Sequence, residues 1–248
     1  MNHNDIVRQS FKKQAEKFAT YHMAKAEYTD YLIQKIAATG EEHALEVAAG
    51  TCICGRALAP YVKDITCLDM TEEMLAQGIR LAEESHIENI YFQSGNAEKL
   101  PYEPETFDLV ITRLSFHHFD NPEKPFEEMK RVLKKGGKMV VWDMEAAEEP
   151  LREIDDKIEN MRDPSHTRIL SREEFEEMFK KDFALQCEET TLVPVNLKSW
   201  MELTDTSEDV QEEITNLMKA RKTGFSPYNK DSQIMFDHRW LLLIGVKK

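Results

Sequence analysis

The stretch His43-Ala-Leu-Glu-Val-Ala-Ala-Gly-Thr-Cys-Ile-Cys-Gly55 decides the fold. Ala44, Leu45 and Val47 surround Glu46 as a buried strand, and Ala48, Ala49 and Gly50 form a turn of small residues. Ile53, Ala57, Leu58 and Tyr61 then recur at helical spacing. A strand, a tight small-residue turn and a helix open a nucleotide-binding α/β fold, where a ligand can press against backbone N–H groups.

Downstream, the same rhythm repeats. Ile65–Met70 reads as a second strand ending in Asp69-Met70, with Thr71 as cap of the next helix. Ile90–Ser94 is a third strand, running into Gly95-Asn96-Ala97-Glu98. Phe107–Thr112 is a fourth, followed by Arg113-Leu-Ser-Phe-His117-His118. A helix over Glu123–Leu133 ends at Lys134-Lys-Gly-Gly137, and Lys138–Trp142 is a fifth strand. Alternating strands and helices imply right-handed crossovers and a mainly parallel sheet covered on both faces.

Outside this region the pattern loosens. Residues 5–37 read as one or two helices able to fold over the ligand edge of the sheet, and Thr39-Gly40 ends them. The expected division is a helical cap over 1–38 and a main domain over 39–248. The charged segment Ala146–Pro164 is expected to be helical, and the span 146–170 to act as a lid or connector. Ser171 and Glu174 fit a capping box for a helix through Phe179. Leu185–Val195 reads as a strand, Leu197–Leu203 and Val210–Ala220 as helices, Phe225–Asp231 as a loop, and Gln233–Val246 as a closing strand.

The 248 residues are 41% hydrophobic and 31% charged, enough apolar material for one sizeable core. A net charge of −14 disfavours a nucleic-acid partner. The longest apolar runs are too short to span a bilayer, and no charged-then-apolar leader opens the chain, so a cytoplasmic location is expected. The four cysteines form no zinc-like pair and are expected to be reduced packing residues, with no metal site.

Asp69 can accept hydrogen bonds from two ribose hydroxyls, which suits either a nicotinamide dinucleotide or S-adenosylmethionine. The turn separates the two. If Ala48 and Gly50 fill the first two positions of a dinucleotide-binding G-x-G-x-x-G, the third falls on the β-branched Ile53. That disfavours an NAD-dependent oxidoreductase. In the other frame Glu46 precedes Ala48 and Gly50, placed to hold an ammonium group, while turn N–H groups meet a carboxylate.

The runs Glu46-Val-Ala-Ala-Gly, Leu68-Asp-Met with Glu73-Met-Leu, Gly95-Asn-Ala-Glu-Lys-Leu-Pro-Tyr, Phe107-Asp-Leu-Val, His117-His-Phe and Arg131-Val-Leu-Lys-Lys-Gly-Gly resemble the class I S-adenosylmethionine-dependent methyltransferases. The likeness covers about residues 40–145, and is greatest to the ubiquinone/menaquinone-biosynthesis type. It implies a Rossmann-like sheet of seven strands in the order 3-2-1-4-5-7-6, with strand 7 antiparallel and drawn from 231–246 beside 184–195. It implies methyl transfer to a small organic acceptor, yielding S-adenosylhomocysteine. Carried over by position, Glu46 faces the methionine amine, Ala48 and Gly50 give close backbone approach, and Asp69 takes the ribose. Met70 packs on the adenine, Asn96 and Ala97 lie at its edge, and Arg113 lies beside the methionyl tail.

Three departures bear on affinity. Glu46 stands where Asp is common, Ala48 and Cys52 where Gly is common, and Asn96 where Asp is usual. Cys52 is expected to place a side chain close to the ligand, and weaker cofactor binding follows. For a general base, His117 is preferred over His118, with His166 as a further candidate. Phe18, Tyr21, Trp200, Phe225 and Tyr228 are candidate walls of an acceptor pocket, though core packing also accounts for most of them. A non-catalytic binder of the same cofactor stays open, because methyl transfer needs few diagnostic side chains.

Overall fold

The computed structural model describes residues 2–18, 26–220 and 223–248. Two helices, α1 (His3–Phe18) and α2 (Ala26–Ile36), precede the first strand. The alternating unit then runs β1 (His43–Val47), α3 (Ile53–Leu58), β2 (Asp64–Asp69), α4 (Glu72–Glu84), β3 (Ile90–Ser94), β4 (Phe107–Arg113), α5 (Glu123–Val132) and β5 (Leu133–Met144). Four helices and three strands follow: α6 (Leu151–Arg162), α7 (Arg172–Lys180), β6 (Phe183–Asn196), α8 (Leu197–Leu203), α9 (Glu208–Lys219), β7 (Tyr228–Lys230) and β8 (Gln233–Lys247).

The sheet order is β3-β2-β1-β4-β5-β8-β6, with β7 paired to β8. Counting the long closing strand as the seventh, this is the expected order, and β8 runs antiparallel to both neighbours. The short β7 is an addition, since Tyr228, Asn229 and Lys230 pair with Met235, Ile234 and Gln233. Phe225–Asp231 is therefore part hairpin, not all loop.

Side-chain alternation fixes which helix covers which face. Ala44, Ile65, Ile111, Val140, Trp142 and Leu242 point to the side packed by α2 and α3. Leu45, Val47, Val110, Met139, Val141 and Leu243 point to the side packed by α5 and α7. A third cluster joins α6, α8 and α9 to the far ends of β6 and β8, around Ile158, Trp200, Ile214 and Phe236.

Several local details differ from the sequence expectation. α5 stops at Val132, because Leu133 is already extended (ψ 132°), and the Lys134–Gly137 stretch continues into β5. Thr71 is the residue before α4, yet its hydroxyl makes no cap bond; its N–H instead donates to Asp69 Oδ1 at 2.8 Å. The Ser171–Glu174 capping box forms as expected, with reciprocal bonds of 3.2 and 2.8 Å. Helix α6 begins only at Leu151 and buries Asp155, Ile158 and Glu159. Among the described residues, no helix is long and apolar enough to cross a membrane.

Candidate active site

Strand order reverses between β1 and β4: the chain builds outward to β3, then returns to the other side of β1. Ligands of open α/β sheets bind where such a reversal opens a crevice beyond the carboxyl ends of the strands. A cleft of about 1030 Å³, open to solvent, lies there. Its walls include Glu46, Ala48, Gly50, Asp69, Met70, Ala97 and Arg113, with Asn4, Val7, Phe11 and Phe18 contributed by α1.

The turn after β1 explains the glycine-rich habit of such sites. Ala48, Gly50 and Cys52 all have positive φ, at 52°, 54° and 57°. An L-residue in this left-handed region costs roughly 1–2 kcal/mol, so Ala48 and Cys52 hold strained positions that glycine would occupy without that steric penalty. The Cys52 side chain does not approach the cleft. It is fully buried toward α4, where a Cβ on Gly78 would come within 2.7 Å of its sulfur. The left-handed backbone points it away from the ligand side, which corrects the expectation drawn from sequence.

Asp69 closes β2 with its carboxylate held on both oxygens. Oδ2 accepts the Gly50 N–H at 2.7 Å, and Oδ1 accepts the Thr71 N–H. Burial pushes its pKa up, while the backbone donors pull the other way. An ionised carboxylate has roughly four lone-pair sites, so each oxygen keeps acceptor capacity beyond its N–H partner. Glu46, 3% exposed, accepts the Gly55 N–H at 2.7 Å and lies 3.4 Å from the Cys67 thiol. Desolvation pushes its pKa up to about 7. Thr51, in the same turn, lines the cleft with a buried hydroxyl that has no hydrogen-bond partner among the described residues. Sequence reasoning passed over it, although it sits between two residues that were singled out.

Arg113 ends β4 and lines the cleft with its guanidinium 5.3 Å from the Trp142 ring and 4.9 Å from Trp240. Burial lowers its pKa. Met70 and Ala97 are in the cleft wall, but Asn96 is not. Its amide oxygen turns back to accept the Glu98 N–H at 2.8 Å.

The paired histidines divide their tasks in an unexpected way. His117 is not part of the cleft wall; it is buried with Nδ1 2.6 Å from Asp143 Oδ1. Burial alone would lower its pKa, but the charge and hydrogen bond of Asp143 outweigh it and raise the value. Asp143 also accepts the Ser115, Phe116 and Met144 N–H groups, so the pair pins the loop after β4. His118 is the ring in the wall. Burial, then the adjacent His117, bring its pKa down to about 3. His166 is buried away from the cleft, 2.9 Å from Asp156.

Of the candidate aromatic walls, Phe18 lines the cleft. Trp200 and Phe225 belong to the third core cluster, and Tyr228 hydrogen-bonds Asp237 at 3.3 Å on the β7 hairpin. Tyr21 lies outside the described residues.

Comparison with known proteins accords with this geometry. Residues 45–141 match the family described as "Methyltransferase domain". The chain is similar to the uncharacterized methyltransferase YcgJ of Bacillus subtilis, 31% identical over 247 residues, covering 96% of this chain and 98% of that one. The crystal structure of YcgJ superimposes with a TM-score of 0.82 at 29% identity, over 92% of this chain and 99% of that one. A demethylmenaquinone methyltransferase from Alkalihalophilus pseudofirmus is 35% identical over 102 residues, covering 40% of this chain and 43% of its own length. The quinone-type likeness is thus confined to part of the chain, whereas the likeness to YcgJ is end to end. The chain belongs to the family of S-adenosylmethionine-dependent methyltransferases.

Proposed function

We propose that the protein transfers a methyl group to a small organic acceptor, with S-adenosylmethionine held across the ends of β1, β2 and β4. The cofactor, when bound, supplies a methyl group already activated on a sulfonium. The observation that carries this reading is the Asp69 carboxylate, fixed at the cleft by two backbone N–H groups and still able to accept from two hydroxyls. The left-handed turn at Gly50, which lines the cleft, fits the same ligand.

In this reading Glu46 receives the ammonium group, Arg113 lies beside the amino-acid tail, and Met70 and Ala97 flank the adenine. Asn96 acts through its turn, holding Ala97 in place instead of reaching the base. Because Cys52 faces α4, it takes no room from the ligand. The N-terminal segment 1–38 serves as a cap through the α1 residues that face the cleft. The span 146–170 acts as a connector whose buried acids fasten it to the sheet.

With the methyl donor activated, the remaining task is placement, and orientation of two reactants can supply roughly 7–11 kcal/mol of the barrier. Calorimetric titration tests the assignment. S-adenosylmethionine and S-adenosylhomocysteine are expected to bind with one site per chain, and NADH not at all. Heat from NADH alone sinks the reading.

A further inference from the structure

Helix α1 turns two faces toward the rest of the molecule, and they differ in chemistry. Asn4, Val7, Phe11 and Phe18 recur at helical spacing along one of them and line the cleft as its roof. His3, Ser10, Gln14 and Lys17 form the adjacent face, and each is spent on an anchor elsewhere in the chain. His3 Nε2 donates to the His118 carbonyl at 2.8 Å, and Ser10 and Gln14 donate to the buried Asp163 at 2.8 and 3.3 Å. Lys17 donates to the Glu202 carbonyl at 2.9 Å. The roof is held down by polar side chains and offers the cleft mainly apolar ones.

The loop after β4 matches it. Leu114 and Phe119 line the cleft, and Phe11 meets the His118 ring edge to face at 4.9 Å. The Ser115 hydroxyl lies 2.5 Å from Thr112 Oγ1. Thr112 gives its own proton to the Val47 carbonyl, so Ser115 is the donor between the two. Burial, then the adjacent His117, keep the His118 imidazole neutral, with its pKa brought down to about 3. The charged wall residues among those described are Glu46, Asp69 and Arg113, all at strand ends, where they are committed to the cofactor. Among the described residues, the wall between roof and loop therefore carries no formal charge. Phe11 and Phe18 are only half-buried, which leaves apolar surface on this side to be covered.

Resting on the methyltransferase reading above, we propose that the slot between α1 and the loop after β4 is the acceptor subsite, and that it selects an uncharged, largely apolar acceptor. A carboxylate, phosphate or ammonium on the acceptor would leave water there without meeting an opposite charge, and that desolvation is uncompensated. An apolar body instead covers Phe11 and Phe18 and gains by leaving water itself. Phe11 is the specificity-determining residue, because it lines the slot and packs on the ring that closes it.

The experiment uses three molecules of one skeleton, phenylbutanol, phenylbutyrate and phenylbutylamine. Each is titrated by calorimetry at neutral pH into the full chain saturated with S-adenosylhomocysteine. Phenylbutanol is expected to bind at least about tenfold more tightly than either charged relative. Equal or tighter binding of the anion or the ammonium overturns the proposal, as does no binding of the alcohol. Phe11→Ala is expected to weaken phenylbutanol about tenfold more than it weakens S-adenosylhomocysteine. An equal or greater loss of S-adenosylhomocysteine affinity puts Phe11 on the cofactor side and overturns the assignment.

A second variant reads the ranking instead of the strength. Phe11→Lys places an ammonium in the roof and is expected to reverse the order, with phenylbutyrate ahead of phenylbutanol, while retained S-adenosylhomocysteine binding reports that the variant is folded. An unchanged order in the folded variant overturns the placement of the subsite. Failure of the wild type to bind S-adenosylhomocysteine sinks the methyltransferase reading. Normal cofactor binding with an adverse ranking sinks this inference alone.

Discussion

Asp69 Oδ2 accepts the Gly50 N–H at 2.7 Å, so the end of the second strand and the turn after the first are tied by one carboxylate. The turn holds a left-handed conformation at three alternate positions, and this bond is what braces it from the neighbouring strand.

Asp69→Ala removes the brace and, on the proposed reading, the ribose acceptor. Each hydrogen bond to a charged group contributes about 1.5–3 kcal/mol, so S-adenosylhomocysteine affinity should fall by at least about tenfold to a hundredfold. Asp69→Asn should fall nearly as far, because an amide N–H₂ cannot accept from Gly50 or Thr71 on both sides. Calorimetry checks each, and unchanged affinity in the alanine variant contradicts the assigned role.

Glu46 gives the protein a pH signature. Its folded pKa is raised from 4.5 to about 7, so between these values the native state keeps a proton that the unfolded chain has released. Stability therefore falls as pH rises through that window, by about 3 kcal/mol in all. Urea midpoints from pH 4.5 to 8 should show the decline, and Glu46→Gln should flatten it. An ammonium-bearing ligand favours the ionised form, so binding near pH 6 should release protons, seen as a buffer-dependent heat.

His117 and Asp143 form a buried pair whose removal is structural. Asp143→Ala leaves the imidazole and three N–H groups without their acceptor and should cost about 3–5 kcal/mol. Since the His117 pKa is raised, its share of stability is full below the unfolded value near 6.5 and is lost as pH climbs through the folded value. Denaturation of the variant at pH 6 and pH 9 should show a larger deficit at the lower pH.

Gly78 and Cys52 should be coupled. A Cβ on Gly78 would sit 2.7 Å from the Cys52 sulfur and 3.2 Å from the Thr51 carbonyl. Gly78→Ala should destabilise by about 1–3 kcal/mol through overpacking. Cys52→Gly removes the sulfur and the left-handed strain together. The double variant should recover part of the loss, with a coupling of about 0.5–3 kcal/mol.

How much of this was legible follows from what periodicity can carry. β1 to β4 are written in short apolar runs between small-residue turns, their order follows from the family resemblance, and the capping box at Ser171 is a local signal. β7 is only three residues long, too short for alternation to show. The division between His117 and His118 depends on Asp143 and Ser165, which lie 26 and 47 residues away and are brought together by β5 and by the segment after α6. Helix α6 reads as a charged lid or connector, and its many acids hide its buried face. Glu159 is nevertheless 1% exposed, with its pKa held low despite burial by Arg162 and His238. Its partner His238 is on the last strand, beyond the reach of any local pattern.

The contact of Arg113 with two neighbouring indoles has an optical consequence. Trp142 and Trp240 are both fully buried, 5.3 Å apart, and share a cation that forms part of the cleft wall. The third tryptophan, Trp200, lies in the separate cluster of α8 beneath Arg162. A ligand carboxylate drawing on Arg113 would alter the field over one indole pair and leave the other ring as an internal standard. Intrinsic emission then reports occupancy of the crevice without a label, and replacing Trp142 by Phe should remove most of the signal.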